Sequence, residues 1–370
     1  MDEFFAQLGS QFQTETHFDR LGKMRERILA HTAESDLPLK AGMLHAAIIR
    51  RMNDWHAAAQ ALEKVWLRFP NDFEAAYEYA LNAIDGSLYE DARRPLLFLI
   101  SHRTEIPDRY LRGIWLAAAI AGYHDLSSLA VDEAVSRGSE LASPGIIYRD
   151  QIVSQNQQKN YPPIISLGEN CLPWMLVNRW GFRRNAFNPE HQSLFNLAQT
   201  TIAGSAAIIR DRGENLVNAQ KLQIAQAVGT PRMPYNAPFQ YSFNHEMGAT
   251  WIDNDFAGLL DRYRPRIANF RRALSGGERI FFFYTCSSGN INDVIDALYV
   301  ANEDEKYKLI IVDTWNDERP EQARVDQRVI YVRLQLPRPD YIWFRPADFE
   351  SPEGIHFEQT IHDIIVKTVG

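Results

Sequence analysis

Over about the first 150 residues the apolar positions fall at helical spacing, and the pattern itself recurs. The segment "NDWHAAAQALEKV" opens at Asn53. "GSLYEDARRPLLF" lies 34 residues on, with Tyr89 where Trp55 stood, and "AGYHDLSSLAVDEA" another 34 on, with Tyr123 in that place. One period upstream the position is Leu21, in "FDRLGKMRERILA". Each opens a run of small or apolar residues: Ala58, Leu62 and Val65, then Ala92 and Leu96, then Leu126 and Ala130. Between them lie "DFEAAYEYALNAI" and "RYLRGIWLAAAIAGY", each preceded by a breaker, Pro70 and Pro107. The spacing predicts stacked helix pairs, against the plainer alternative of a helical bundle with accidental spacing.

From Ile164 the period changes. "PIISLG", "RIFFFYT", "KLIIVDT" and "RVIYVRL" are short unbroken apolar runs, the mark of strands buried on both faces. Helical patterns intervene in "LPWMLVNRWGF", "INDVIDALYVANE" and "FEQTIHDIIVKTV". Such alternation predicts an α/β domain with a mainly parallel sheet. The polar, proline-ended run "SQNQQKNYPP" sets the boundary, giving helical repeats over 1–155 and an α/β domain over 162–370. Residues 187–251, rich in Asn, Pro, Phe and Gln, read as a loop-heavy insertion able to cover a cleft.

The repeat period, the alanine placement and the prolines resemble tetratricopeptide repeats, in divergent form. That resemblance implies a helical solenoid whose concave surface binds a peptide or protein partner. A rigid arm docking on the second domain is the other use of such an array.

Composition narrows the function classes. A formal net charge of −8 argues against general affinity for nucleic acid or anionic membrane, despite one basic cluster, "DRYRPRIANFRR". The longest apolar stretch, "GIWLAAAIAGY", is too short to span a bilayer. The acidic, mixed N-terminus lacks the form of an export signal, and two cysteines make no disulfide framework, so a reducing cytoplasm is expected. No P-loop, no Gly-x-Gly-x-x-Gly after a strand, no Cys-x-x-Cys and no His-Glu-x-x-His occurs, so no cofactor or metal is expected.

In open α/β sheets ligands bind beyond the carboxyl ends of the strands, and three such ends carry chemistry. In "LGENC", Gly168 permits a tight turn, and Glu169, Asn170 and Cys171 fall at a helix start. The unpaired N–H groups and dipole there are expected to lower the thiol pKa, with Asn170 and the Cys171 N–H as oxyanion donors. The alternative is a small buried cysteine that only packs. The other ends are "YTCSSGNIND", from Tyr284 to Asp293, and "VDTWND", from Val312 to Asp317. A nucleophilic thiol needs a base, and His245 and His356 stand in loop-like contexts; His191 is a further histidine of this domain, and His362 has helix-face spacing.

"ISLGENC" with its following helix, then "GFRRNAFN", "FNH" and "DRYRPRIANF", resembles a bacterial family of unknown function that is usually grouped with the papain-like cysteine peptidases. The likeness runs from about Ile164 to Tyr284. It implies that Ser166, Gly168, Asn170 and Cys171 form the leading motif, that His245 is the family histidine, and that Arg266 and Phe270 belong to the helix after it. The family's Pro-Phe-Asp-Trp is replaced by Ala186, Phe187, Asn188 and Pro189, so Asn188 would orient the histidine. A strand leading straight into the cysteine departs from a true papain fold.

A second resemblance, to ester hydrolases and acyl transferases of the SGNH type, rests on "GENC", "SSGNIND" and "EGIH". It implies Cys171 or a neighbour in the serine's place, Asn290 or Asn292 as oxyanion donor and His356 as base, acting on a glycan ester rather than a peptide. A third reading is a non-catalytic adaptor that binds carbohydrate or a nucleotide sugar, with Trp251, Trp315 and Trp343 for stacking; a nucleotide-sugar transferase also fits the domain pattern. The sequence favours a cysteine-dependent hydrolase or acyl transferase.

Overall fold

The computed structural model describes residues 2–86, 88–139, 160–183, 192–226, 232–317 and 323–369. They fall into two compact units.

The first unit is a helical array: α1 (Asp2–Thr14), α2 (Phe18–Leu29), α3 (Leu39–Arg51), α4 (Trp55–Arg68), α5 (Phe73–Asp85), α6 (Tyr89–Ser101), α7 (Asp108–Ala121) and α8 (His124–Ser136). Asp54 and Asp72 cap α4 and α5, accepting the N–H of Ala57 at 3.1 Å and of Ala75 at 2.8 Å. The sequence period maps onto these starts. Trp55 opens α4, Tyr89 opens α6, and Tyr123 stands one residue before α8. The Tyr123 hydroxyl donates to the Tyr89 carbonyl at 3.0 Å, linking equivalent positions. Ala58, Leu62, Val65, Ala92, Leu96, Leu126 and Ala130 are all buried. Alanine at these positions lets neighbouring helices approach closely, which is why the repeat shows as a small-residue pattern.

The segment 245–259, with the described part of 224–234, also belongs to this unit, although the sequence places it in the second domain. Its ties are aromatic. The His245 ring lies 5.1 Å from that of Trp55, and the Trp251 ring 5.2 Å from that of His56.

The second unit holds β1 (Ile164–Gly168), α9 (Leu172–Arg179) and α10 (Ile202–Arg210). Two short segments, β3 (Met233–Asn236) and β4 (Tyr241–Ser242), follow β2 (Leu222–Ala225) and pair antiparallel, Tyr235 opposite Ser242. After the long helix α11 (Ala249–Ser275), of which Leu260 onward belongs to this unit, come β5 (Arg279–Thr285), α12 (Asn292–Ala301), β6 (Tyr307–Asp313), β7 (Val329–Arg333), α13 (Pro346–Phe349) and α14 (Pro352–Val369). The α11 backbone breaks at Asp253–Phe256, where three successive residues take positive φ.

The four apolar runs form one parallel sheet in the order β1-β5-β6-β7. Every residue of β1 and β5 is buried, as strands covered on both faces require. Because all four strands run the same way, their carboxyl ends gather along one edge. α9 is anchored by a buried carboxylate: Glu358 of α14 accepts from Arg179 Nε at 3.1 Å and from Trp180 Nε1 at 2.6 Å. Among the described residues no helix is long and apolar enough to cross a membrane.

Candidate functional site

β1 ends at Gly168, whose φ is +125°. A Cβ there would lie 2.3 Å from the Tyr284 carbonyl oxygen, so the close approach of the two strand ends requires glycine. The next residue, Glu169, is 7% exposed, and its carboxylate is well satisfied. It accepts from the Thr285 hydroxyl at 2.6 Å, the Cys286 N–H at 2.9 Å and the Ser287 N–H at 3.1 Å, with the Ser287 hydroxyl as a fourth donor. A buried charge survives when its lone pairs are filled this way. Its main chain is tied as well: the Glu169 N–H donates to the Tyr284 carbonyl at 3.1 Å, and its carbonyl accepts the Thr200 N–H at 3.2 Å. Glu169 thus fixes the turn after β5 against the turn after β1.

Asn170 is buried and turned into the helix start. Its Oδ1 accepts the Leu172 N–H at 3.0 Å, while its Nδ2 faces the Cys286 sulfur at 3.9 Å. Cys171 is the N-cap residue of α9, half-buried, with no side-chain capping bond. The sequence leads one to expect a lowered thiol pKa; the structure gives the reverse. Burial pushes the thiol up, and this outweighs the opposing pull of the Trp343 indole, the backbone N–H and the Arg179 charge. The Trp343 N–H favours the thiolate without closing a hydrogen bond of good geometry. A helix N-terminus offers a thiolate the first few unpaired N–H groups, and here desolvation is larger.

Cys286 is the exposed thiol of the pair. Beneath it the Tyr284 hydroxyl meets Thr314 Oγ1 at 2.9 Å; burial first, then the Cys286 sulfur, pushes that hydroxyl well above its ordinary pKa. At the third strand end Asp313 is fully buried, accepting from the Tyr331 hydroxyl at 2.6 Å and the Trp315 N–H at 2.9 Å.

Other expected site residues lie elsewhere. Ser166 is a mid-strand residue, 0% exposed, whose hydroxyl accepts from Arg183 at 3.2 Å; it braces β1 and does not face the strand-end turns. Asn290 is a turn former, its Oδ1 accepting the Asn292 N–H at 3.0 Å. Asn292 is buried, and its Oδ1 accepts the Arg324 N–H at 2.9 Å, which commits it to holding that loop. His356 is not in a loop: it lies exposed in the second turn of α14, which starts early because Ser351 Oγ accepts the Gly354 N–H at 3.0 Å. His362 stacks on Trp180 and Phe182, with ring centroids 5.0 Å and 5.1 Å away, and is structural. His245 is half-buried in a turn of the first unit. Asn188 and His191 lie outside the described residues.

Sequence reasoning missed Thr285, Ser287 and Trp343 as partners of the "ENC" turn. The signal available was the run "TCSS" at a neighbouring strand end, which offers hydroxyl and N–H donors and no cation for an acid to meet. Among the described residues no group of three His, Cys, Asp or Glu side chains is arranged to hold a metal ion. No protein-family model, no curated protein and no solved structure is significantly similar to this chain.

Proposed function

We propose that this chain is a thiol-dependent acyl-transfer enzyme, a hydrolase or transferase, with Cys171 as nucleophile. The observation that carries the reading is the setting of Cys171: a half-buried thiol at the start of α9, just past the carboxyl end of β1, on a turn braced by the buried Glu169. Bracing of this kind fixes reacting groups without a reorganisation cost during reaction.

The raised thiol pKa defines the chemistry. Cys171 rests protonated at neutral pH and reacts when a base removes its proton, and a thiolate of high pKa is the stronger nucleophile. The sulfur forms a bond to the substrate carbonyl carbon, and the thiol proton passes through the base to the leaving oxygen or nitrogen as the acyl bond breaks. Water or an acceptor hydroxyl then cleaves the thioester and restores the thiol. Peptides and glycan esters both offer such a carbonyl. The tetratricopeptide-like array supplies the binding of a protein partner.

Turnover of p-nitrophenyl acetate by the full chain tests this. Cys171→Ser should abolish turnover and Cys286→Ser should spare it, while His245→Ala and His356→Ala separate the peptidase-like base from the ester-hydrolase one. The desolvated thiol also favours a second reading, a binding module for carbohydrate or nucleotide sugar without covalent chemistry. No turnover above the uncatalysed rate in the parent protein would support that alternative.

A further inference from the structure

Helix α5 places Glu74, Glu78 and Asn82 four residues apart, so the three side chains follow one another along a single face. They line a groove of about 600 Å³ in the first unit, whose other walls include Phe12 of α1, Leu44 of α3 and Leu62 of α4. Exposure falls along the stripe. Glu74 is exposed, Glu78 is half-buried, and Asn82 is 1% exposed.

The orientation of the Asn82 amide is fixed, because its Nδ2 donates to the Glu78 main-chain carbonyl at 2.8 Å. Its Oδ1 is therefore an acceptor, buried and without a hydrogen-bond partner. An unmet acceptor of this kind costs stability unless a donor arrives.

The cations in the walls are already committed. Arg51 donates to the main-chain carbonyls of Phe12 and Glu15 and stacks on the Phe12 ring at 3.8 Å. Arg50 is shared between Glu78 at 3.5 Å and Asp85 at 3.0 Å. The carboxylates of Glu78 and Asp85 thus share one guanidinium, while Glu74 stands one turn away on the same stripe.

We infer that this groove receives a lysine or arginine side chain projecting from an otherwise apolar segment of a protein partner. The cationic head donates to Asn82 Oδ1 and Glu78, Glu74 draws it to the mouth, and flanking apolar residues cover Phe12 and Leu44. Ammonium and guanidinium groups are donors only, which matches the unmet Asn82 Oδ1 and the two glutamates of the stripe. An apolar wall beside an acidic stripe selects a peptide over a small polyamine.

Panning a random heptapeptide phage library on the full chain, then calorimetry with the selected peptides, tests the inference. The enriched sequences should carry one basic residue among apolar neighbours. Replacing that residue by norleucine should weaken binding by at least about ten-fold. Glu78→Gln and Asn82→Leu should weaken it similarly. Glu74→Gln, an exposed change that leaves folding intact, should weaken it by a smaller factor and reduce its salt dependence. Enriched sequences without a basic residue, equal affinity for the Glu74→Gln and Glu78→Gln proteins, or no enrichment at all would overturn it.

Discussion

The carboxylate of Glu169 accepts a 2.6 Å hydrogen bond from the hydroxyl of Thr285, a residue 116 positions along the chain. Two backbone N–H groups and a second hydroxyl complete its shell. This one acid joins the turns after β1 and β5, and the candidate site depends on it. Glu169→Gln turns an acceptor oxygen into a donor amide facing other donors, and should cost about 2–4 kcal/mol in urea unfolding. Thr285→Val leaves the other three donors in place and should cost about 1 kcal/mol. Equal, negligible costs for both would mean that the turns hold together without the carboxylate.

Gly168 is the second support of that junction. Alanine at φ +125° would set its Cβ 2.3 Å from the Tyr284 carbonyl oxygen, against main chain that cannot yield cheaply. Gly168→Ala should lose about 3 kcal/mol or more. A thermal melt matching the parent protein would show that β1 and β5 can separate at no cost.

The helical array carries its own pH dependence through His45. This histidine is 1% exposed and accepts from Arg25 Nε at 3.4 Å. Burial, aided by the Arg25 and Lys64 charges against that of Glu34, holds its pKa down at about 4 instead of 6.5. The unfolded chain therefore binds the extra proton between these values, and stability falls as pH drops from 6.5 towards 4. The loss attributable to His45 is about 3 kcal/mol across that window. Thermal melts from pH 7 to 4 should show the decline, and His45→Gln should flatten it.

The Cys171 thiol should alkylate with a midpoint above the ordinary free-thiol value of about 8.5, because burial disfavours its thiolate. Trp343→Phe removes an N–H that favours the thiolate and should move the midpoint higher. Iodoacetamide rates against pH, in the Cys286→Ser background, measure both. A midpoint below the ordinary value would show that the helix N-terminus governs this thiol after all.

How much of this was legible in the sequence depended on range. The starts at Trp55, Tyr89 and Tyr123 were readable because helix stacking imposes small residues at a fixed interval. β1, β5 and most of β6 were readable because burial on both faces leaves unbroken apolar runs, and β7, though only partly buried, carries a similar run. The partners of Glu169 were not, since no local pattern relates an acid to hydroxyls more than a hundred residues away. The thiol was misjudged for the same reason: the helix start is a local feature, whereas the desolvation and Trp343 come from tertiary packing. "SPEGIH" looks like a loop, yet Ser351 and Pro352 start a helix that carries His356.

The most direct test of the central claim is to trap the acyl-enzyme. The full chain would be mixed with p-nitrophenyl acetate, quenched in acid within the first turnover, and its acetylated residue located by peptide mass spectrometry. A single acetyl group on Cys171, absent in Cys171→Ser and retained in Cys286→Ser, is the predicted result. An acetyl group on Cys286 alone, or none on either thiol while p-nitrophenolate is released, would contradict it.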